Sequence, residues 1–321
     1  MKIMHQSVLQ KQIVEVFKYI DSIDFVDLNE NPIVVDCTLG YGGHSLALLE
    51  SYPHIHIYAF DRDEYALSLA SKRLESYRNR IHLFHQPFSH IFSHLSAQVC
   101  SRIKGIIADI GVSSMQLDEV ARGFSFNSPL LDMRMDTQQN LTAAHIVNTY
   151  SSHALENLFR SYGEFKESKK LAQLIVERRK REPFQSCFDL SSFVEQHFRR
   201  QGLHPATLVF QALRIEVNDE LGELQKLLDS LSQTYDKGYL RGARVGIISF
   251  HSLEDRLVKQ NFKQWSKSCI CPQETYKCEC GNHHEKGYIL TKKPIVPDSD
   301  EITHNKRARS AKLRVFEYRN D

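Results

Sequence analysis

Asp36-Cys37-Thr38-Leu39-Gly40-Tyr41-Gly42-Gly43-His44 is the stretch whose reading decides the fold. It follows the apolar run Ile33–Val35, which reads as a buried strand, and leads into His44–Ser51, which reads as a helix. Glycines between a strand and a helix let a ligand approach the backbone and permit positive φ. The first turn of the helix adds N–H groups that have no intrahelical partner. The next apolar run, Ile55–Phe60, ends in Asp61, about 20 residues beyond the glycines, where a carboxylate can accept both hydroxyls of a ribose. The combination predicts a cofactor that contains adenosine.

Two cofactor classes fit a glycine turn followed by an acid. The dinucleotide pattern G-x-G-x-x-G starts at Gly40 and Gly42, but Ser45 stands at its third glycine, which argues against NAD. Asp36 at the head of the turn suits the ammonium and sulfonium groups of S-adenosylmethionine (AdoMet). Further along, Glu64–Tyr77 has helical spacing, Ile81–His85 reads as a strand, and Ile103–Ala108 as another that ends in Asp109. Short apolar strands alternating with helices predict an α/β fold with a parallel sheet covered on both faces. Asp109 is a third carboxylate at a strand's carboxyl end, where such sheets bind ligands. A helix-cap role for it stays open.

From about Met115 to Gln201 the alternation stops, and Leu155–Phe159, Ser168–Lys180 and Leu190–Arg199 carry helical spacing. Strand and helix signals return with 206–235, Arg244–Phe250, Ser252–Trp265 and Ala311–Tyr318. The expected organisation is a first part at 1–118, a helical insertion at 119–203, and a second part at 204–321 with a cysteine-rich segment at 269–284.

With 41% hydrophobic and 25% charged residues the 321-residue chain is an ordinary globular sequence, which excludes global disorder and fibrous classes. No apolar run approaches the ~18 residues of a membrane span, and the N-terminus lacks a signal-peptide core. These readings predict a cytoplasmic protein. The net charge of +2 is uninformative, but Arg178–Arg181, Arg199-Arg200 and the cluster Lys306, Arg307, Arg309, Lys312, Arg314 and Arg319 are local basic runs that suit phosphate contacts. Solvated helix faces are the alternative.

Cys269-x-Cys271 and Cys278-x-Cys280 place four thiols in 12 residues, a pattern that suggests structural zinc. Reduced loop cysteines or a redox pair remain open, and His283 or His284 could replace one thiol. Cys37, Cys100 and Cys187 read as buried free thiols, and His82, His85, His90 and His94 as ordinary surface or half-buried histidines.

The chain resembles the MraW family, bacterial small-subunit rRNA cytosine-N4 methyltransferases, nearly end to end. The resemblance is carried by His5-Gln6-Ser7-Val8-Leu9, the glycine loop through Ser45, Asp61-Arg62-Asp63 and Asp109–Asp118. It continues through Arg122-Gly123-Phe124-Ser125-Phe126, Leu131–Asp136, His204–Thr207, Phe210–Ile215, Ile248–Arg256 and Arg307–Arg314. Two positions depart from the family pattern: Phe165 replaces a glutamate and Met115 a proline.

The resemblance implies a class I, Rossmann-like AdoMet-dependent methyltransferase interrupted by a helical substrate-recognition domain. The implied target is the N4 amine of a decoding-centre (P-site) cytosine in 16S rRNA within the small ribosomal subunit. Cofactor contacts are implied at Gly42, Gly43, His44, Asp61, Phe88, Asp109 and Gln116. A methyltransferase of another substrate class and a non-catalytic rRNA-binding assembly factor are the competing readings.

An exocyclic amine is a weak nucleophile. It must be held in line with the methyl group and relieved of a proton as it becomes cationic. Asp109 is the expected acceptor or cofactor-holding group, with Ser249, His251 or Asp136 completing the pocket. Phe124 and Phe126 are candidate stacking surfaces for an extruded base. Arg122, Arg134 and Arg214 could bind phosphate or pair with nearby acids.

Overall fold

Ile33, Val34 and Val35 are all fully buried, so the first strand must be covered on both faces. The computed structural model describes residues 7–23, 31–113, 116–117, 119–199, 202, 204–272 and 274–321. His5-Gln6, Met115, Asp118 and Arg200, all used in the sequence reading, lie outside them. Among the described residues the sheet has seven strands: β1 Ile33–Asp36, β2 His56–Asp61, β3 Ile81–His85, β4 Ile103–Asp109, β5 Arg244–Ser249, β6 Gly287–Ile289 and β7 Lys312–Tyr318. Their order is β3-β2-β1-β4-β5-β7-β6. The first five are parallel, whereas β7 runs antiparallel to β5 and to β6.

Alternating side chains divide the sheet between two apolar layers. Ile33, Val35, Ile106 and Ala108 face one, where Leu224, Leu228, Val258 and Phe262 also pack. Val34 and Ile107 face the other, with Ile13 and Phe17 from the helix Gln10–Phe17 and Leu48 from the helix Gly43–Ser51. The chain order reverses direction between β1 and β4. That reversal opens a crevice at the carboxyl ends of these strands, where open α/β sheets bind ligands.

The chain divides into two compact units, 1–111 with 223–321, and 112–222. The second unit is helical, with its own core from Phe124 to Val217. Its limits differ from the expected 119–203. The helix Thr207–Asn218 buries Val209, Phe210, Ala212, Leu213 and Val217 in that core, which moves the division to Gly222. The single helix expected over 206–235 is two, Thr207–Asn218 and Glu220–Asp236, broken where Asp219 adopts φ 48°. The family glutamate position is filled by Phe165, which packs edge-on against Phe198 with ring centroids 5.3 Å apart. The departure therefore serves the core. Among the described residues no helix is long and apolar enough to cross a membrane.

Candidate cofactor site at the carboxyl ends of the strands

β1 ends in Asp36, and the loop that follows is built on it. Asp36 is 1% exposed. Its Oδ1 accepts from the Thr38 amide at 3.1 Å and its Oδ2 from the Ser45 hydroxyl at 2.6 Å. Burial raises its pKa, partly offset by the Ser45 hydrogen bond. Both oxygens thus take part in holding the loop. Ser45, read in the sequence only as a missing glycine, is the donor that anchors this carboxylate.

The turn closes through Gly42 N to Leu39 O at 2.7 Å. Gly42 has φ 71° and stands at the N-cap of the helix Gly43–Ser51, where no side chain caps the first turn. A glycine meets this backbone at little cost, and the uncapped turn offers its N–H groups to an anion.

Asp61 ends β2 and reaches across to the loop. Its Oδ2 accepts from the Gly40 amide at 2.7 Å and its Oδ1 from the Asp63 amide at 2.8 Å. Each oxygen keeps a second lone pair for a further donor. Burial pushes its pKa up to about 6, against the pull of these two N–H groups.

The loop after β3 brings Phe88, partly buried against the sheet layer. The Arg62 guanidinium lies 5.8 Å from its ring centre. Arg62 also stands 3.6 Å from Glu223, which accepts from the Ser89 hydroxyl at 2.5 Å. Burial alone would raise Glu223, but Ser89, Lys226 and Arg62 hold it below the usual carboxylate range. Sequence reading missed Glu223, because its partners lie far away in the chain.

Asp109 ends β4 beside β1 and is positioned by its own amide, which donates to Thr38 Oγ1 at 2.7 Å. Its Oδ2 is 3.4 Å from His44 Nε2. Among the described residues, Asp109 Oδ1 and both ring nitrogens of the buried His44 are buried without a hydrogen-bond partner. Buried polar atoms normally have one. An amine N–H donor at Asp109 Oδ1 would satisfy that oxygen, and Asp61 keeps lone pairs for ribose hydroxyls, so the donor set fits AdoMet beside an amine substrate.

The other expected site residues are engaged differently. Ser249, at the end of β5, is buried, and its hydroxyl donates to Lys312 O at 3.4 Å. His251 caps the helix Ser252–Trp265 in a reciprocal capping box with Glu254. In the helical unit, Gln116 Oε1 accepts from the Ser113 amide at 3.0 Å, and Asp136 Oδ1 accepts from the Gln138 amide at 2.8 Å.

Arg134 forms a bidentate pair with Asp132, and Arg214 another with Glu220. Arg122 donates to Met135 O at 2.7 Å. Arg134 and Arg214 thus follow the pairing alternative, whereas Arg122 serves backbone carbonyls. Phe124 is buried, and Phe126 stacks on His204 and meets Phe210 edge-on, so both belong to the helical core instead of a free stacking surface.

The basic runs are partly consumed as well. Arg178 pairs with Asp189, Arg179 donates to the carbonyls of Val147 and Tyr150, and Arg314 and Lys312 serve Asp255. Lys180, Arg181, Lys306 and Arg309 remain exposed.

Five parallel strands, an antiparallel β7 inserted between β5 and β6, and acids at the ends of β1, β2 and β4 define the class I, Rossmann-like methyltransferase fold. A family model described as the MraW methylase family matches residues 2–319. Ribosomal RNA small subunit methyltransferase H of Helicobacter hepaticus is 57% identical over 314 residues, covering 98% of this chain and 96% of that protein. The protein of the same name from Aliarcobacter butzleri is 49% identical over 318 residues, covering 99% and 100%. That from Wolinella succinogenes is 48% identical over 316 residues, covering 98% of each. The chain belongs to the MraW methylase family and is a methyltransferase.

Proposed function

We propose that this methyltransferase takes its methyl group from AdoMet and delivers it to the N4 amine of a cytosine in the decoding centre of 16S rRNA, cytosine 1402, within the small ribosomal subunit. The observation that carries this reading is the Asp109 carboxylate, whose Oδ1 is buried and unpartnered at the carboxyl end of β4, beside a glycine loop whose Asp61 is anchored by two amides. The relatives' shared name supports the RNA target. A cytoplasmic location accompanies it.

Bound in this crevice, AdoMet supplies a methyl group made electrophilic by its sulfonium. The residues divide the remaining work. Asp61 accepts the ribose hydroxyls, and Phe88 packs beside the adenine. Gly42, Gly43 and His44 line the uncapped helix turn. Asp109 accepts an N–H bond from the target amine, orients its lone pair, and takes the proton that this nitrogen releases as it becomes cationic. The helical unit recognises the substrate, and the exposed cations Lys180, Arg181, Lys306 and Arg309 contact its phosphates.

Radiolabelled methyl transfer to small subunits, naked 16S rRNA, DNA and protein tests the target. Label is expected as N4-methylcytosine at one site of the subunit; label confined to DNA or protein would overturn the reading. Asp109→Asn keeps the shape and removes the charge. Its turnover is expected to fall by about 10²-fold, the lower end for a lost acid–base group, with AdoMet affinity within a few-fold. Near-normal turnover would remove Asp109 from the reaction.

A further inference from the structure

Between the helix Ser252–Trp265 and β6, residues 266–286 form neither helix nor strand among the described positions. Ile270 and Tyr276 are exposed, so this tongue has little apolar packing of its own. A long structureless segment in a compact unit needs another way to be held. Its base is zipped by Lys286 N to Trp265 O at 2.7 Å and His284 N to Ser268 O at 3.0 Å. Beyond those bonds, its tip is gathered around four cysteines.

The sulfurs of Cys269, Cys271, Cys278 and Cys280 all lie within 4.8 Å of one another. Three pairs are separated by 3.6, 3.6 and 3.7 Å. A tetrahedral zinc–tetrathiolate centre with ~2.3 Å bonds has sulfur–sulfur edges of about 3.8 Å. The four thiols are free of disulfides.

The backbone adds an independent observation. Ile270 N donates to Cys280 Sγ at 3.4 Å, and Glu279 N donates to Cys271 Sγ at 3.3 Å. The middle residue of each Cys-x-Cys arm thus bonds the last sulfur of the other arm, a pseudo-twofold arrangement. Such N–H donors stabilise thiolates and orient them, the role outer-sphere partners fill around metals. His284 Nε2 is engaged with Cys280 O at 2.8 Å, and the ligand atoms clustered here, among the described residues, are the four sulfurs alone.

We propose that Cys269, Cys271, Cys278 and Cys280 bind one Zn²⁺ in a closed structural site that pins the tongue ahead of β6. Four protein ligands leave no open position, so the ion has no part in methyl transfer. Soft thiolate donors in tetrahedral arrangement select zinc among divalent ions.

The test is metal analysis of the full chain, purified without chelators from zinc-supplemented culture. About one zinc per chain is expected, falling below about 0.2 in Cys271→Ser and Cys278→Ser, with helical circular dichroism unchanged. Removing zinc is expected to speed proteolytic cutting within 266–286, and zinc alone should reverse this. If the variants do not fold, Co²⁺ loaded into the wild-type chain decides: thiolate-to-cobalt charge-transfer bands support the site and their absence overturns it. Less than about 0.2 zinc with four freely titrating thiols, stoichiometric iron instead, or a mass showing two disulfides would each overturn it as well. None of these readouts depends on the methylation target.

Discussion

Asp61→Ala is expected to weaken AdoMet binding by at least about 10²-fold while the protein stays folded. The carboxylate is held in place by the Gly40 and Asp63 amides, and each oxygen keeps a lone pair for a further donor. Two charge-assisted hydrogen bonds to ribose hydroxyls contribute about 1.5–3 kcal/mol each, and every ~1.4 kcal/mol is tenfold in affinity. Folding stability should change little, because two effects oppose each other. The substitution strands two amides. It also removes an acid whose pKa is raised by burial from 3.8 to about 6. Between these values the native state binds the proton more tightly than the unfolded chain. Asp61 therefore imposes a cost that is absent below pH ~3.8 and complete above pH ~6, up to about 3 kcal/mol. The same shift predicts that AdoMet affinity, full above pH 6, declines by up to about tenfold per unit below it, because the protonated acid is a poorer acceptor. Asp61→Asn should flatten that profile. Calorimetric titration of the alanine variant at pH 7.5 giving a Kd within threefold of wild type would remove Asp61 from the binding site.

The loop and strand ends of the candidate cofactor site were legible because they are written locally. A glycine turn between strand and helix, and acids at the ends of β2 and β4, depend on short stretches whose geometry the chain's own spacing sets. What failed to show in the sequence depends on partners far away. Ser45 looked like a defect in a glycine pattern until Asp36, nine positions earlier, proved to need its hydroxyl. Glu223 carries no local mark, since Ser89 lies 134 positions away. Arg122, Arg134 and Arg214 were ambiguous because a cation's partner is a tertiary fact, and here the partners are carbonyls and acids of the same unit. β6 has three residues, too few to show alternation, and it exists because β7 offers an edge. The helix break at Asp219 was hidden because an aspartate can enter the left-handed region without a glycine to announce it.

Gly123→Ala is expected to destabilise the helical unit by about 3–5 kcal/mol, at the severe end for a single substitution. Gly123 has φ 79°, a conformation that costs a side-chain-bearing residue about 1–2 kcal/mol. Steric overlap costs more. An added Cβ would lie 2.6 Å from Asp132 N, 2.9 Å from Met133 N and 3.1 Å from Leu130 O. All three are backbone atoms, so no rotamer change relieves the clash, and the segment 130–133 must move. That segment is not free to move. Leu131 O and Asp132 O accept the amides of Ala144 and Ala143 at 2.8 Å each, satisfying first-turn donors of the helix Ala143–Thr149. Met133 N bonds Arg122 O, and Asn218 bridges Met133 O and Met135 N in the buried core. Displacing 130–133 therefore breaks a helix start and a buried amide network together, and buried amides left unpaired cost about 1–3 kcal/mol each. Gly40→Ala supplies the control, since it has φ 51° but its Cβ would meet nothing within 4 Å. It should lose only about 1–2 kcal/mol. Urea denaturation of both variants separates backbone strain from steric overlap: equal losses would mean that backbone conformation alone sets the cost and that the contact of Gly123 with 130–133 is dispensable. The expected inequality would explain the glycine of Arg122-Gly123-Phe124 as the point where two loops of the helical unit touch backbone to backbone.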